Sequence, residues 1–183
     1  VKTQAVWSKM TTFYLRMGIA YTATMSWPVQ ATAAPRPKTK NIRTVGIGLA
    51  GVFVVMAVAQ LFTFEDFPGT ISAMWLPGGE AVASVRAALI VTFEVGAIPF
   101  LLSMRLSPAM RFLSMVAGWL AIAAWFAASI WQNLSSGVIV NSGLLGATVK
   151  LPVGWWNVLF CIALGVLAAW VAWGLWPLKK RGK

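Results

Sequence analysis

Histidine is absent from this 183-residue chain, and Cys161 is its one cysteine. Without imidazole there is no His-ligated haem, no Ser–His catalysis and no histidine metal site. A single cysteine inside an apolar run cannot make an internal disulfide, a CxxC redox pair or a cysteine zinc site. Acids are almost as scarce: Glu65, Asp66, Glu80 and Glu94 are all there are. No catalytic group, metal site or resident cofactor is identified from residue types, and any proton chemistry falls to these four carboxyls or to bound partners. Charged residues make up 10% of the chain, against roughly 25% in a soluble domain.

Apolar residues fill the space, at 59%, and define an integral membrane protein. The net charge of +11 would suggest nucleic acid in a soluble chain. Here seven basic residues precede Thr44 and four follow Leu178, flanking the apolar segments. That placement fits anionic headgroups and the positive-inside rule; no RNA-binding pattern accompanies it, so nucleic acid is not an expected partner.

Hydropathy predicts an all-α fold, a membrane four-helix bundle over 44–178 with spans near 44–64, 81–103, 112–132 and 155–176, each near the ~20 residues that cross a bilayer. Residues 1–43 form a basic leader. Within it, Val6 to Trp27 reads as an interfacial helix with Trp7, Phe13, Tyr14 and Trp27 at headgroup level, a signal segment or a disordered leader being the alternatives. Ala34 to Arg43 reads as an extended linker, since Pro35 and Pro37 oppose helix. Residues 179–183 are a basic tail. An acidic turn, 65–69, and a short helix over 70–75 are expected between the first two spans.

The basic residues cluster at the leader, at Arg105 and Arg111, and at the tail, while the other two loops carry three acids and one lysine. The positive-inside rule therefore puts both termini in the cytoplasm, across a cell inner membrane. The lipid bilayer is the first expected partner, and a membrane-protein neighbour or a second copy the next.

Glu94 stands near the middle of the second span, where a carboxyl is costly and requires a reason. Arg86 is eight residues earlier, about 12 Å along the helix and roughly 80° around it, so the two are not an adjacent pair; Arg86 can snorkel outward. Pro99 denies the carbonyl of Val95 its helical partner and suggests a kink. Gln60 is the one strongly polar residue of the first span, suited to an interhelical hydrogen bond. Trp125 sits deep in the third, where tryptophan is more often packing than a cofactor contact. Glu94, Arg86, Gln60 and Trp125 form the candidate intramembrane site. Its bland counterpart is a carboxyl that glues helices together.

A basic residue opening the first span, the Phe64-Glu-Asp-Phe67 turn, Leu76-Pro77 before the second span, a glutamate within it and an Arg-Leu turn into the third follow one another in order. Over about residues 43 to 176 this order resembles the DoxX-like superfamily of four-helix membrane proteins, and the methylamine-utilisation MauE branch most of all. In the loop after the third span, Asn141-Ser-Gly-Leu-Leu-Gly146 stands where MauE-like proteins carry Cys-Gly-Cys-Phe-Gly, and Gly154-Trp155 matches their entry to the fourth helix. The resemblance implies a redox accessory protein, holding a quinone or lipid between the first two spans with Glu94 beside it. Ser142 and Leu144 replace the two cysteines, and Gln60 stands near a lysine of many relatives, so no thiol mechanism is inherited. Asn141, Ser142, Gly143 and Gly146 are then expected to shape a docking loop. The expected role is a non-catalytic membrane subunit or scaffold, with the redox accessory as the alternative.

Overall fold

A computed structural model describes residues 31–74, 78–135 and 141–176. The leader helix over Val6 to Trp27 and the basic tail lie outside these residues. Five helices occur among those described: α1 Lys40–Phe62, the short α2 Phe67–Ser72, α3 Gly79–Leu101, α4 Pro108–Leu134 and α5 Trp155–Leu175. The four long ones are each apolar and long enough to cross a membrane. α1 packs on α3, α3 on α4, α4 on α5 and α5 back on α1, closing an up-and-down bundle that is the fold expected from hydropathy.

Local chemistry sets the boundaries. α1 begins at Lys40, one turn before the expected span, because long basic side chains at a helix end can reach the headgroups while the backbone stays helical. α2 starts at Phe67, three residues ahead of expectation, with Pro68 in its first turn, where a missing N–H costs nothing. The Ser107 hydroxyl caps α4 by accepting from the Met110 N–H at 3.2 Å, and Pro108 follows at the first helical position. α3 ends in a Schellman turn: Met104 N–H donates to the Pro99 carbonyl and Ser103 N–H to that of Phe100, with Ser103 at a φ of 55°.

α3 stays helical through Pro99, and beside the proline its backbone is contacted from α4. Ser114 of α4 donates to the Gly96 carbonyl at 2.5 Å and accepts from the Phe100 N–H at 3.0 Å. These two backbone groups are i and i+4 partners in a regular helix, so one hydroxyl from α4 touches both ends of that step of the ladder. Close approach makes this reachable: a Cβ on Gly96 would lie 3.3 Å from that of Ala117, and one on Gly118 would lie 3.2 Å from that of Ala97.

The basic linker is non-helical from Ala31 to Lys38 but is not free. Thr32 N–H donates to the Leu106 carbonyl, and Arg111 donates to the carbonyls of Thr32 and Ala33. Lys38 N–H reaches the Gly174 carbonyl, while its ammonium sits 4.3 Å from the Trp173 ring centre. The linker thus straps the end of the bundle that carries the α3–α4 turn.

Candidate functional site

Along α3 the buried positions Ala83, Ala87, Ile90, Val91, Glu94 and Ala97 recur at helical spacing, so Glu94 is on the face turned into the bundle and is fully buried. Its Oε1 accepts from the Trp125 indole N–H of α4 at 2.7 Å and from the Gln60 side-chain amide of α1 at 3.2 Å. The same Gln60 amide nitrogen also donates to the Leu144 carbonyl at 3.1 Å. Three helices therefore meet on one carboxyl, and Gln60 ties the loop to them. Three of the four candidate intramembrane residues are brought together, with Leu144 added by its backbone.

Arg86 lies apart. It borders a groove between α3 and α4, of about 390 Å³, whose inner wall includes Trp125. A Cβ on Gly78 would stand 3.3 Å from an Arg86 terminal nitrogen, so the guanidinium folds back toward the start of α3, as snorkelling requires.

The loop offered as a docking surface turns inward. Asn141 organises it: Oδ1 accepts from the Gly143 and Leu151 N–H groups, and Nδ2 donates to the Gly146 carbonyl. Ser142, Gly143, Leu144 and Gly146 are buried and Asn141 half-buried, leaving 148–150 exposed. Gly146, at a φ of 62°, lies so close to α1 that a Cβ would be 2.9 Å from the Gln60 Cα. The residues expected to face a partner instead plug the end of the bundle above Gln60 and Glu94. Short polar side chains that satisfy the loop's own backbone draw it in.

Several polar residues of this layer were not singled out from the sequence. Gln132 of α4 donates to the Ser142 carbonyl at 3.2 Å, and Asn133 donates to the carbonyls of Ser129 and Gly154. Ser129 lies 3.9 Å from the Cys161 sulfur. The Asn133–Gly154 and Ser129–Cys161 contacts fix an antiparallel register that sets Gln132 and the fully buried Asn157 at the same level. Among the described residues Glu94 Oε2, Gln60 Oε1, Gln132 Oε1, Ser142 Oγ and both polar atoms of the Asn157 side chain have no hydrogen-bond partner. The layer beneath the loop is therefore rich in acceptors. Asn157, three residues past Gly154 in an apolar helix, was the one legible signal.

A well-formed apolar groove lies elsewhere than the place where the quinone or lipid site was expected, between the first two spans beside Glu94. It is lined by α1, the loop and α5, including Gly48, Gly51, Val55, Leu145, Trp156 and Phe160, and has a volume of about 510 Å³. Glu94 does not line it. Among the described residues no group of three or more His, Cys, Asp or Glu could hold a metal ion.

Comparison with protein-family models, with curated proteins and with solved structures finds no match. Fold and site define a multi-pass, all-α membrane protein whose mid-membrane carboxyl joins three helices.

Proposed function

We propose that this protein is a non-catalytic subunit or scaffold of a larger assembly in the cytoplasmic membrane, with both termini and the α3–α4 turn on the cytoplasmic side. The observation that carries the reading is the arrangement around Glu94: its Oε1 is engaged by Trp125 and Gln60, donors from two other helices, so the costly carboxyl fixes one bundle geometry. The charge asymmetry of the loops supports the orientation. Gly48 and Gly51 support a neighbour on α1, because both are exposed and a Cβ on either would meet nothing within 4 Å. Small exposed positions of this kind let a second helix, from another protein or another copy, approach closely.

Glu94→Gln tests the reading, since an amide oxygen can accept the same two hydrogen bonds. That variant should keep its melting temperature in detergent and the membrane proteins that co-purify with the wild type, whereas Glu94→Leu should lose both. A Glu94→Gln protein that folds and keeps its neighbours but loses a redox or proton-dependent phenotype would overturn it.

A second reading, a redox accessory of the DoxX and MauE kind, draws support from the α1–α5 groove, which has the apolar lining a quinone ring and tail require. A quinone extracted stoichiometrically with the purified protein, and lost in Gly51→Phe, would favour it.

A further inference from the structure

Buried polarity in this bundle is one-sided. Among the described residues the buried polar side chains from Glu94 up to the loop are Glu94, Gln60, Ser129, Gln132, Ser142 and Asn157, whereas toward the α3–α4 turn they are Ser107 and Ser114. Those two serines are occupied, Ser107 by the cap of α4 and Ser114 by its contacts with Gly96 and Phe100. Around them the core is apolar, with Leu49, Phe53, Ala97, Phe100 and Leu101 buried. On the loop side Glu94 Oε2, Gln60 Oε1, Gln132 Oε1, Ser142 Oγ and both polar atoms of Asn157 are buried without a hydrogen-bond partner among the described residues. Left dry, each of these atoms forfeits its hydration for nothing, and together they weigh heavily against the small net stability of a folded chain. The atoms also form a column. Glu94 and Gln60 meet at the level of Trp125, Gln60 bonds the Leu144 carbonyl, and Ser142, two residues away, holds Gln132 through its own carbonyl. Gln132 is seven residues beyond Trp125 on α4, roughly 10 Å along the axis, and Asn157 stands at its level.

We propose that this column binds a file of internal water molecules, which puts Glu94 Oε2 in contact with the loop side of the membrane while the apolar core seals it from the other. The chemistry of the atoms selects the occupant. Asn157 presents an unpaired donor beside an unpaired acceptor whichever way its amide is turned, and a metal cation, which serves acceptors alone, leaves the donor unmet. Water does both, and a buried water takes about two to four such partners. At ~2.8 Å between neighbours, about three or four of them span the column. Water also suits the free carboxyl oxygen in either protonation state, while Oε1 stays with Trp125 and Gln60. The inference does not rest on the subunit reading, because a carboxyl that joins helices through one oxygen can meet water through the other.

Water-edited NMR of the isotope-labelled full chain in lipid bilayers tests it. Magnetisation should pass from water to the Gln60 side-chain amide severalfold faster than to the backbone N–H of Ala121, an equally buried residue on the other side of Trp125. Asn157→Leu, which puts an apolar group of similar size at the loop end of the column, should slow the Gln60 transfer severalfold. Ser142→Ala deletes a hydroxyl that bonds no protein group among the described residues, so the fold is kept, and the transfer should slow there too. Ser114→Ala, at the opposite end, should leave it unchanged. Transfer to Gln60 no faster than to Ala121 in the wild type would overturn the proposal, as would wild-type transfer in folded Asn157→Leu and Ser142→Ala proteins or an equal loss in Ser114→Ala. A Gln60 signal that moves with sodium concentration at constant ionic strength would assign the column to a cation and overturn it as well.

Discussion

The indole nitrogen of Trp125 stands 2.7 Å from Oε1 of Glu94, the shortest of the bonds that hold this carboxyl. α4 grips α3 at mid-membrane through that contact, and α1 adds the second donor through Gln60. Trp125→Phe keeps most of the ring and removes the N–H. The expected loss is about 1 kcal/mol, above the ~0.6 typical of interhelical bonds in membranes because a buried acceptor is left short of a partner. Reversible unfolding in mixed detergent micelles measures it; an unchanged midpoint would show that the bond contributes nothing.

Ser114→Ala should destabilise the bundle by about 1 kcal/mol, since Phe100 N–H and the Gly96 carbonyl lose the hydroxyl that bridges them. In a Pro99→Ala background the loss should shrink, because without the ring this part of α3 is freer to satisfy the two groups within the helix. A double-mutant cycle on these positions should therefore show coupling, and strict additivity would exclude a link between the bridge and the proline.

How much of this was legible beforehand differs by residue. The spans follow from long apolar runs, and the inward direction of Glu94 from the cost of its alternative. Gln60 could be suspected because no other strongly polar residue interrupts the apolar run that follows Thr44 in its helix. Trp125 could be weighed only as packing, since an indole declares a hydrogen bond only once its neighbour is known. Ser114 was silent: a serine among small residues gains its role from the exact approach of Gly96 and Gly118, which is a property of two helices together. The loop was misread for a similar reason. Asn141 and two left-handed glycines can serve an exposed turn or an inward plug, and the surface of α1 beneath them decides which.

Cys161 should be chemically quiet. It is 1% exposed and rests against Ser129. Maleimide labelling of the folded protein in detergent should be negligible over the time in which the denatured chain reacts completely, and Cys161→Ser should leave stability within about 0.5 kcal/mol. Rapid labelling of the native state would contradict the packing of α4 on α5.

For topology, reporter fusions after Lys150 and at the C-terminus should lie on opposite sides of the membrane, with the C-terminal reporter inside. The expectation follows from four crossings and from the basic residues gathered at one end. Activity of both reporters on the same side would require a different number of crossings.

Arg111 holds the carbonyls of Thr32 and Ala33 at the α3–α4 turn, while the helix that the same strand feeds, α1, starts only at Lys40. Mechanically this makes the strap a strain relief, like the clamp on a cable where it enters a housing. A pull applied to the chain ahead of Thr32 loads the α3–α4 turn first and the Lys38 contact with α5 second. α1 and the Gln60 end of the Glu94 clasp feel it only after both have let go.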